Sequence, residues 1–262
     1  MKKFRSIERK YSVNYTTSNM VDKDVQAMLF PLDLMQYFGF CPKYHIKSNV
    51  IYPNSFFSNF ISFIFTLVFI CINIICAYLQ VLNKDSLGYN AFSNFSYQKN
   101  CIFYCFGFAM NFVIGVFQTK KHVKFVTTFQ KVYRLLNYST SFNLFIIWNW
   151  FLGIMALLFY VIVFSYFVML HGVPFYAVCN GYLMVVFDFN IIYAIRLIEL
   201  LKNQVILFNI QVSNSGELEN KYRENFDKKM FQAYVQIFEC YEIYKQCFQQ
   251  SVSTVLYNLL HN

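Results

Sequence analysis

The sequence predicts an all-α fold, a polytopic transmembrane helical bundle of four spans with a cytoplasmic amphipathic helix attached, and three observations predict it. Of 262 residues, 57% are hydrophobic and only 13% are charged, whereas a soluble domain carries about a quarter charged residues to coat its core. Thirty-three Phe and 21 Tyr are more rings than a soluble domain of this length can hide. Basic residues, finally, gather in alternate connections between long apolar stretches.

Each span follows from the same requirement. Hydrocarbon about 30 Å thick is crossed by about 20 apolar helical residues, because a helix pairs its own amides where lipid offers no partner. Four stretches meet that length or approach it: Phe56 to Leu82, Cys101 to Phe117, Phe142 to Leu170 and Phe175 to Leu201. Only the fourth contains charge, at Asp188, Arg196 and Glu199. Asp188 falls mid-span, and Arg196 and Glu199, three apart, are placed to pair with one another at the inner membrane surface.

Orientation follows from the positive-inside rule. Residues 1–55 hold eight Lys and Arg, and the connection between the second and third spans holds five, Lys120, Lys121, Lys124, Lys131 and Arg134. The first-to-second connection holds Lys84 and Lys99, and the third-to-fourth, around His171-Gly172-Val173-Pro174, holds none. The amino terminus is therefore expected in the cytoplasm. No cleavable signal peptide is visible, so the first span directs insertion. The formal charge of +9 reads as a topology signal and an attraction to anionic headgroups rather than as a nucleic-acid surface. The sequon Asn94-Phe95-Ser96 fits an outer loop, although Asn14-Tyr15-Thr16 and Asn137-Tyr138-Ser139 match the same pattern on the inner side.

Past the fourth span the composition turns polar. Ser213-Asn214-Ser215-Gly216 and the charged run that follows read as a solvated loop. Then Met230, Ala233, Tyr234, Ile237, Phe238, Tyr241, Tyr244 and Phe248 recur at three- and four-residue intervals, the signature of an amphipathic helix that packs on a partner. Ser251 to Leu260 reads like a fifth span cut short. The expected division is a cytoplasmic amino-terminal segment (1–55), a four-span bundle (56–201), a cytoplasmic loop (202–225), and a cytoplasmic helix leading into the truncated span (226–262).

Enzyme chemistry finds no support. The sequence has no GxSxG, HExxH, GxxxxGK or GxGxxG, and His45, His122, His171 and His261 are scattered over separate segments. The eight cysteines show no paired CxxC spacing, and Cys101 and Cys105, though on one helical face, lack a neighbouring His or carboxylate, so they read as core fillers rather than metal ligands. No catalytic residue, cofactor or metal is expected.

Asp188 is the sharpest feature. A carboxylate near the bilayer centre costs at least ~2.5 kcal/mol, so it faces a partner or a polar cavity. Two readings stay open here: a helix–helix hydrogen bond to Asn111, Asn149 or a Tyr hydroxyl, and a role toward a ligand or ion. The outer halves of the second to fourth spans add Tyr104, Tyr160, Tyr166, Tyr176 and Tyr182, with His171 and Asn180 near the surface. Such rings suit a pocket for a small organic ligand and equally an interfacial aromatic belt.

The lead-in Pro31-Leu32-Asp33-Leu34-Met35-Gln36-Tyr37-Phe38-Gly39-Phe40, then Pro53-Asn54-Ser55, resembles the entry to the first span in the insect chemoreceptor superfamily, specifically lepidopteran gustatory receptors. The basic second-to-third loop, the tight third-to-fourth hairpin and the helix from Phe231 through Phe248 are similar in order and spacing. The resemblance implies seven spans, a cytoplasmic amino terminus at the plasma membrane, and homo- or hetero-oligomers, tetramers in the full-length family, acting as ligand-gated cation channels. It implies a tastant pocket in the outer half of the bundle, here lined by Tyr104, Tyr160, Tyr176, Tyr182 and Asp188 with His171 at the mouth. This sequence has no counterpart to the pore-lining seventh helix, so the resemblance implies a carboxy-terminally truncated subunit whose partners are the lipid bilayer and a small-molecule tastant. The rival expectation is a self-contained four-span scaffold or transporter component. A lipid-modifying enzyme lacks clustered His or carboxylates, and a G-protein-coupled receptor would place its amino terminus outside.

Overall fold

The computed structural model describes the backbone of residues 19–82, 91–136, 142–171, 175–214 and 220–260, with side-chain environments for all of these except 80–82, 91–97, 142–143, 167, 170–171, 175–184, 220–222 and 249–260. The elements in order are α1 (Lys23–Phe38), the strands β1 (His45–Lys47) and β2 (Val50–Tyr52), and then α2 (Phe56–Leu82), α3 (Ala91–Leu136), α4 (Phe142–His171), α5 (Phe175–Ser213) and α6 (Asn220–Leu260).

Among the described residues three helices are long and apolar enough to cross a membrane: Phe56–Leu79 in α2, Gln98–Leu136 in α3 and Leu144–Tyr166 in α4, with mean hydropathies of 2.7, 1.7 and 2.2. Their outward faces carry large apolar side chains such as Phe57, Ile64, Ile75, Ile102, Ile147 and Ile162. Water would leave these faces unsolvated over a contiguous surface far larger than a soluble monomer tolerates, and a bilayer removes that penalty.

α3 corrects one expectation. A second span ending at Phe117 was to give way to a basic loop, yet the helix continues unbroken to Leu136. The pattern explains it: Val123, Phe125, Val126, Phe129, Val132 and Leu136 are buried at three- and four-residue spacing, while Lys120, Lys124, Lys131 and Arg134 are exposed. The basic residues mark the solvated face of an amphipathic helix, not a loop. The expected loop 202–225 shrinks for the same reason, since α5 runs through Ser213 and α6 begins at Asn220. Residues 251–260 continue α6 in backbone instead of starting a separate element.

The described part of the amino-terminal segment, residues 19–55, packs against the long apolar helices. α1 packs against α4 and α5: Asn149 Nδ2 donates to the Met28 carbonyl at 3.0 Å, Gly153 meets the Met35 side chain, and Gln36 Nε2 donates to the Phe189 carbonyl at 3.2 Å. Gly153 lacks a Cβ where Met35 needs the room. The helix closes at Gly39, whose amide bonds back to Met35 at 3.1 Å. Phe40 then takes a left-handed φ of 53°, an unfavourable conformation for an L-residue. Its ring stacks on Phe65 with centroids 3.6 Å apart and meets Phe69 at 6.2 Å, which holds the turn in place.

From there the chain returns to the end it came from. β1 and β2 pair antiparallel in the register His45↔Tyr52, Ile46↔Ile51 and Lys47↔Val50, joined by Ser48 and Asn49 with φ of 52° and 63°. Two positive φ values in a two-residue connection are the type I′ turn that matches strand twist. Val21 N donates to Asn49 O at 2.7 Å and Ile51 N to Asn19 O at 3.1 Å, so residues 19–21 line the hairpin and the whole segment begins and ends at one level. Outside, Arg134 clamps Asp22 through two bonds of 2.9 and 2.7 Å, and that guanidinium holds the Asp22 carboxyl below its ordinary value.

The principal core lies at this end of the molecule, where Met28, Leu32, Ile51, Phe129, Leu197 and Cys240 from α1, β2, α3, α5 and α6 meet. Higher up, Phe69, Phe108 and Val186 form a second cluster. Gly107 sits there, and a Cβ on it would stand 2.9 Å from Phe187 Cζ. Gly107→Val is expected to force α3 from α5 and lower stability by about 1–3 kcal/mol, read as a fall in melting temperature in detergent. Gly115→Ala, with nothing within 4 Å of the added carbon, is expected to leave that temperature unchanged or raise it.

Candidate functional site

Inside an apolar bundle each polar side chain needs a partner supplied by the chain, and the partners chosen here trace a path along α5. At its upper described end the Tyr160 hydroxyl of α4 donates to Asp188 Oδ2. Two residues on, Asn190 Nδ2 donates to Asn111 Oδ1 of α3 at 3.3 Å and to the Val186 carbonyl at 3.0 Å, and Asn111 Nδ2 reaches Cys41 Sγ at 3.3 Å. Tyr193, 1% exposed, comes next. Below it Arg196 donates to Asn149 Oδ1 and Glu199 Oε2, with its guanidinium carbon 4.3 Å above the Phe145 ring.

The sequence-derived pocket residues divide. Tyr160 and Asp188 are brought together. Tyr104 lies on the α3 side of α5, its ring 6.3 Å from Phe187 and packed with the Phe69–Phe108 cluster, while Tyr160 packs on the α4 side with Phe164 and the Met35–Val185–Phe189 cluster. The side chains of His171, Tyr176 and Tyr182 lie outside the described residues. Of the partners expected for Asp188, the tyrosine hydroxyl takes the role. Asn111 and Asn149 are committed to Asn190 and Arg196.

Arg196 and Glu199 pair as their spacing predicts, with unequal burial: the Arg196 side chain is 7% exposed and that of Glu199 44%. The arginine faces the interior, where Asn149 and the Phe145 face complete its contacts. Cys101 Sγ and Cys105 Sγ lie 3.6 and 4.0 Å from the carbonyls of Asn73 and Ile70. Among the described residues no group of three His, Cys, Asp or Glu is placed to hold a metal ion.

A buried polar chamber beneath the re-entrant turn escaped sequence reasoning. Tyr44, 3% exposed, sits between Asp33 of α1 and Tyr193 of α5. Burial pushes the Asp33 carboxyl from its ordinary 3.8 up to about 8, partly opposed by the neighbouring Tyr44 hydroxyl, and burial together with Asp33 raises the Tyr44 phenol well above its usual value. Lys43, 7% exposed, lies near His122, Cys41 and Cys247, and burial lowers its ammonium pKa. The His122 ring meets Tyr193 and Phe248 edge-on, at 6.1 and 5.8 Å. Only a signal weak in isolation hinted at this chamber: Asp33 and Lys43 flank an apolar lead-in that a solvated segment would not need.

No family model, curated protein or solved structure matches this chain.

Asn149, 0% exposed, joins α1 to α5 through the Met28 carbonyl and Arg196. Asn149→Ala strands a buried carbonyl and one face of a buried guanidinium, and is expected to cost about 2–4 kcal/mol, measured as a lowered melting temperature. The chamber predicts a pH dependence. Because the folded carboxyl of Asp33 is raised from 3.8 to about 8, the folded state holds its proton where the unfolded state has released it. Its contribution is complete below 3.8 and is lost as pH rises through about 8. Melting temperature is therefore expected to fall from mildly acidic toward pH 9, and Asp33→Asn is expected to flatten that slope.

Proposed function

We propose that this chain is a four-span plasma-membrane receptor subunit of the insect gustatory type, with its amino terminus in the cytoplasm, that binds a small organic tastant in the outer half of the bundle. The observation that carries the reading is the Asp188–Tyr160 pair: a carboxylate in the apolar part of a helix bundle, shared with a single hydroxyl and flanked by aromatic walls. That arrangement lets a polar ligand group replace or join the tyrosine while rings supply affinity. In this reading α5 is the fourth crossing, Tyr104 lines the α3 side of the site, and Tyr176, Tyr182 and His171 complete it toward the outside. The role is binding and signalling within an oligomer. No catalytic step is assigned.

A self-contained scaffold or transporter component is the second reading, favoured by the fact that Asp188 already has a partner in Tyr160. Ligand binding separates the two. A panel of sugars and plant alkaloids should contain members that raise the melting temperature of the purified chain, by about 2.7 kcal/mol of stabilisation at a hundred times Kd. Asp188→Asn and Tyr160→Phe are expected to abolish that shift at unchanged folding. No shift with any member, or a shift indifferent to both substitutions, would sink the receptor reading.

A further inference from the structure

A face of α5 turned away from Tyr193 and Arg196 carries Ile191, Ile195, Ile198, Lys202 and Val205, at intervals of four, three, four and three residues. Ile191 and Ile195 are more than half exposed, as lipid-facing residues are. Further down, the stripe becomes one wall of a groove of about 290 Å³ whose other wall is α6, through Tyr234, Ile237, Phe238 and Tyr241. The wall is apolar almost throughout, with one cation, Lys202, set into it. Among the described residues no carboxylate forms an ion pair with Lys202.

Depth decides what such a groove meets. Arg196 lies against Phe145 and Asn149, at the start of the apolar run Leu144–Tyr166, and α5 leaves that run as it proceeds. Ile198 to Val205 therefore covers the next ~10 Å at 1.5 Å per residue. That matches the headgroup layer, about 5–8 Å deep on each side of the hydrocarbon. The exposed basic residues of α3 stand at the same end of the molecule.

Resting on the membrane reading above, we propose that the α5–α6 groove binds an anionic phospholipid, its phosphate at Lys202 and its acyl chain on the apolar stripe. Continuity selects this occupant: the groove opens from a stripe already shaped for lipid. Charge selects it as well, because a lone cation in an apolar wall at headgroup depth is complemented by a phosphate. The tyrosine hydroxyls of Tyr234 and Tyr241 suit the polar edge of that layer, as interfacial aromatics do.

The test uses the full chain in phosphatidylcholine nanodiscs doped with photoactivatable phosphatidylglycerol, with crosslinked peptides mapped by mass spectrometry. Label is expected on residues 198–205 and 234–241. Lys202→Glu is expected to lower it about fivefold or more, the effect of about 1 kcal/mol per basic residue at the surface. Lys228→Glu, remote and paired with Glu224, is expected to leave it unchanged. Val205→Trp, at an exposed position of the groove wall, fills the groove and should remove the label at unchanged melting temperature. A photoactivatable phosphatidylcholine probe that labels α2 and α4, while phosphatidylglycerol spares the groove, would overturn the proposal and leave the membrane reading standing. Absence of label on α2 and α4 would overturn both. Disulfide crosslinks between copies through Tyr234→Cys or Tyr241→Cys, in place of lipid label, would show a second copy in the groove and end the proposal.

Discussion

The guanidinium of Arg196 is the group around which the lower half of the bundle is arranged. A buried cation with an incomplete set of partners is far more costly than a missing contact between apolar groups. Three residues contribute to its satisfaction: Asn149 and Phe145 from α4, and Glu199 from the next turn of α5. Asn149 has a second amide function to place, and it places it on the Met28 carbonyl. That bond ties α1 into the bundle. The depth of α1 then sets where Gln36 meets Phe189 and where the turn at Phe40 stacks on Phe65. The re-entrant course of the amino-terminal segment is thus a downstream consequence of accommodating one arginine.

Helix continuity is the second organising feature. α3, α5 and α6 are 46, 39 and 41 residues long, well beyond what a bilayer requires. Each changes character along its length without a break. In α3 the upper part is apolar on most sides, while below Phe117 the apolar residues narrow to a stripe and lysines occupy the rest. α6 meets that stripe through Met230, Ala233, Cys240 and Cys247, and Lys124 pairs with Glu239 at 2.7 Å across the seam. A surface pair of that kind adds little energy. The seam is held by apolar burial, and the charges set which faces are left to water.

Sequence patterning made the apolar helices visible, because long runs of Phe, Ile and Leu have few alternative explanations. It also exposed the Arg196–Glu199 pairing and the need of Asp188 for a partner. Two kinds of information stayed hidden. Basic residues in the second-to-third connection were legible as a topology signal, but lysine content alone does not separate a loop from the solvated face of a helix; the stripe from Val123 to Leu136 had to be weighed against it. Likewise Met230 and Ala233 separate from Tyr234, Phe238 and Tyr241 once α6 is packed, the first pair facing the core and the second set lining a groove, with Ile237 at the border of the two. Spacing predicts an apolar helix in both cases and is silent on which of two apolar stripes finds a partner. The chamber of Asp33, Tyr44 and Tyr193 was illegible for another reason: its members come from α1, the hairpin approach and α5, and long-range juxtaposition leaves no local pattern.

The polar path along α5 joins these features. Asp188 faces α4, Asn190 faces α3, Tyr193 meets the re-entrant segment, and Arg196 returns to α4, so one helix touches every element that surrounds it. Between Asp188 and Ser213 it contains no Gly or Pro and therefore has no site predisposed to kink. Asp188 and Arg196 are eight residues apart, about 12 Å along a rigid axis. In the receptor reading, a ligand that re-forms the hydrogen bond at Asp188 acts on a rod whose other end is gripped by Asn149 and, through it, by α1. A buried guanidinium has few acceptable positions, so any displacement of α5 has to keep the bonds of Arg196 to Asn149 and Glu199 or replace them.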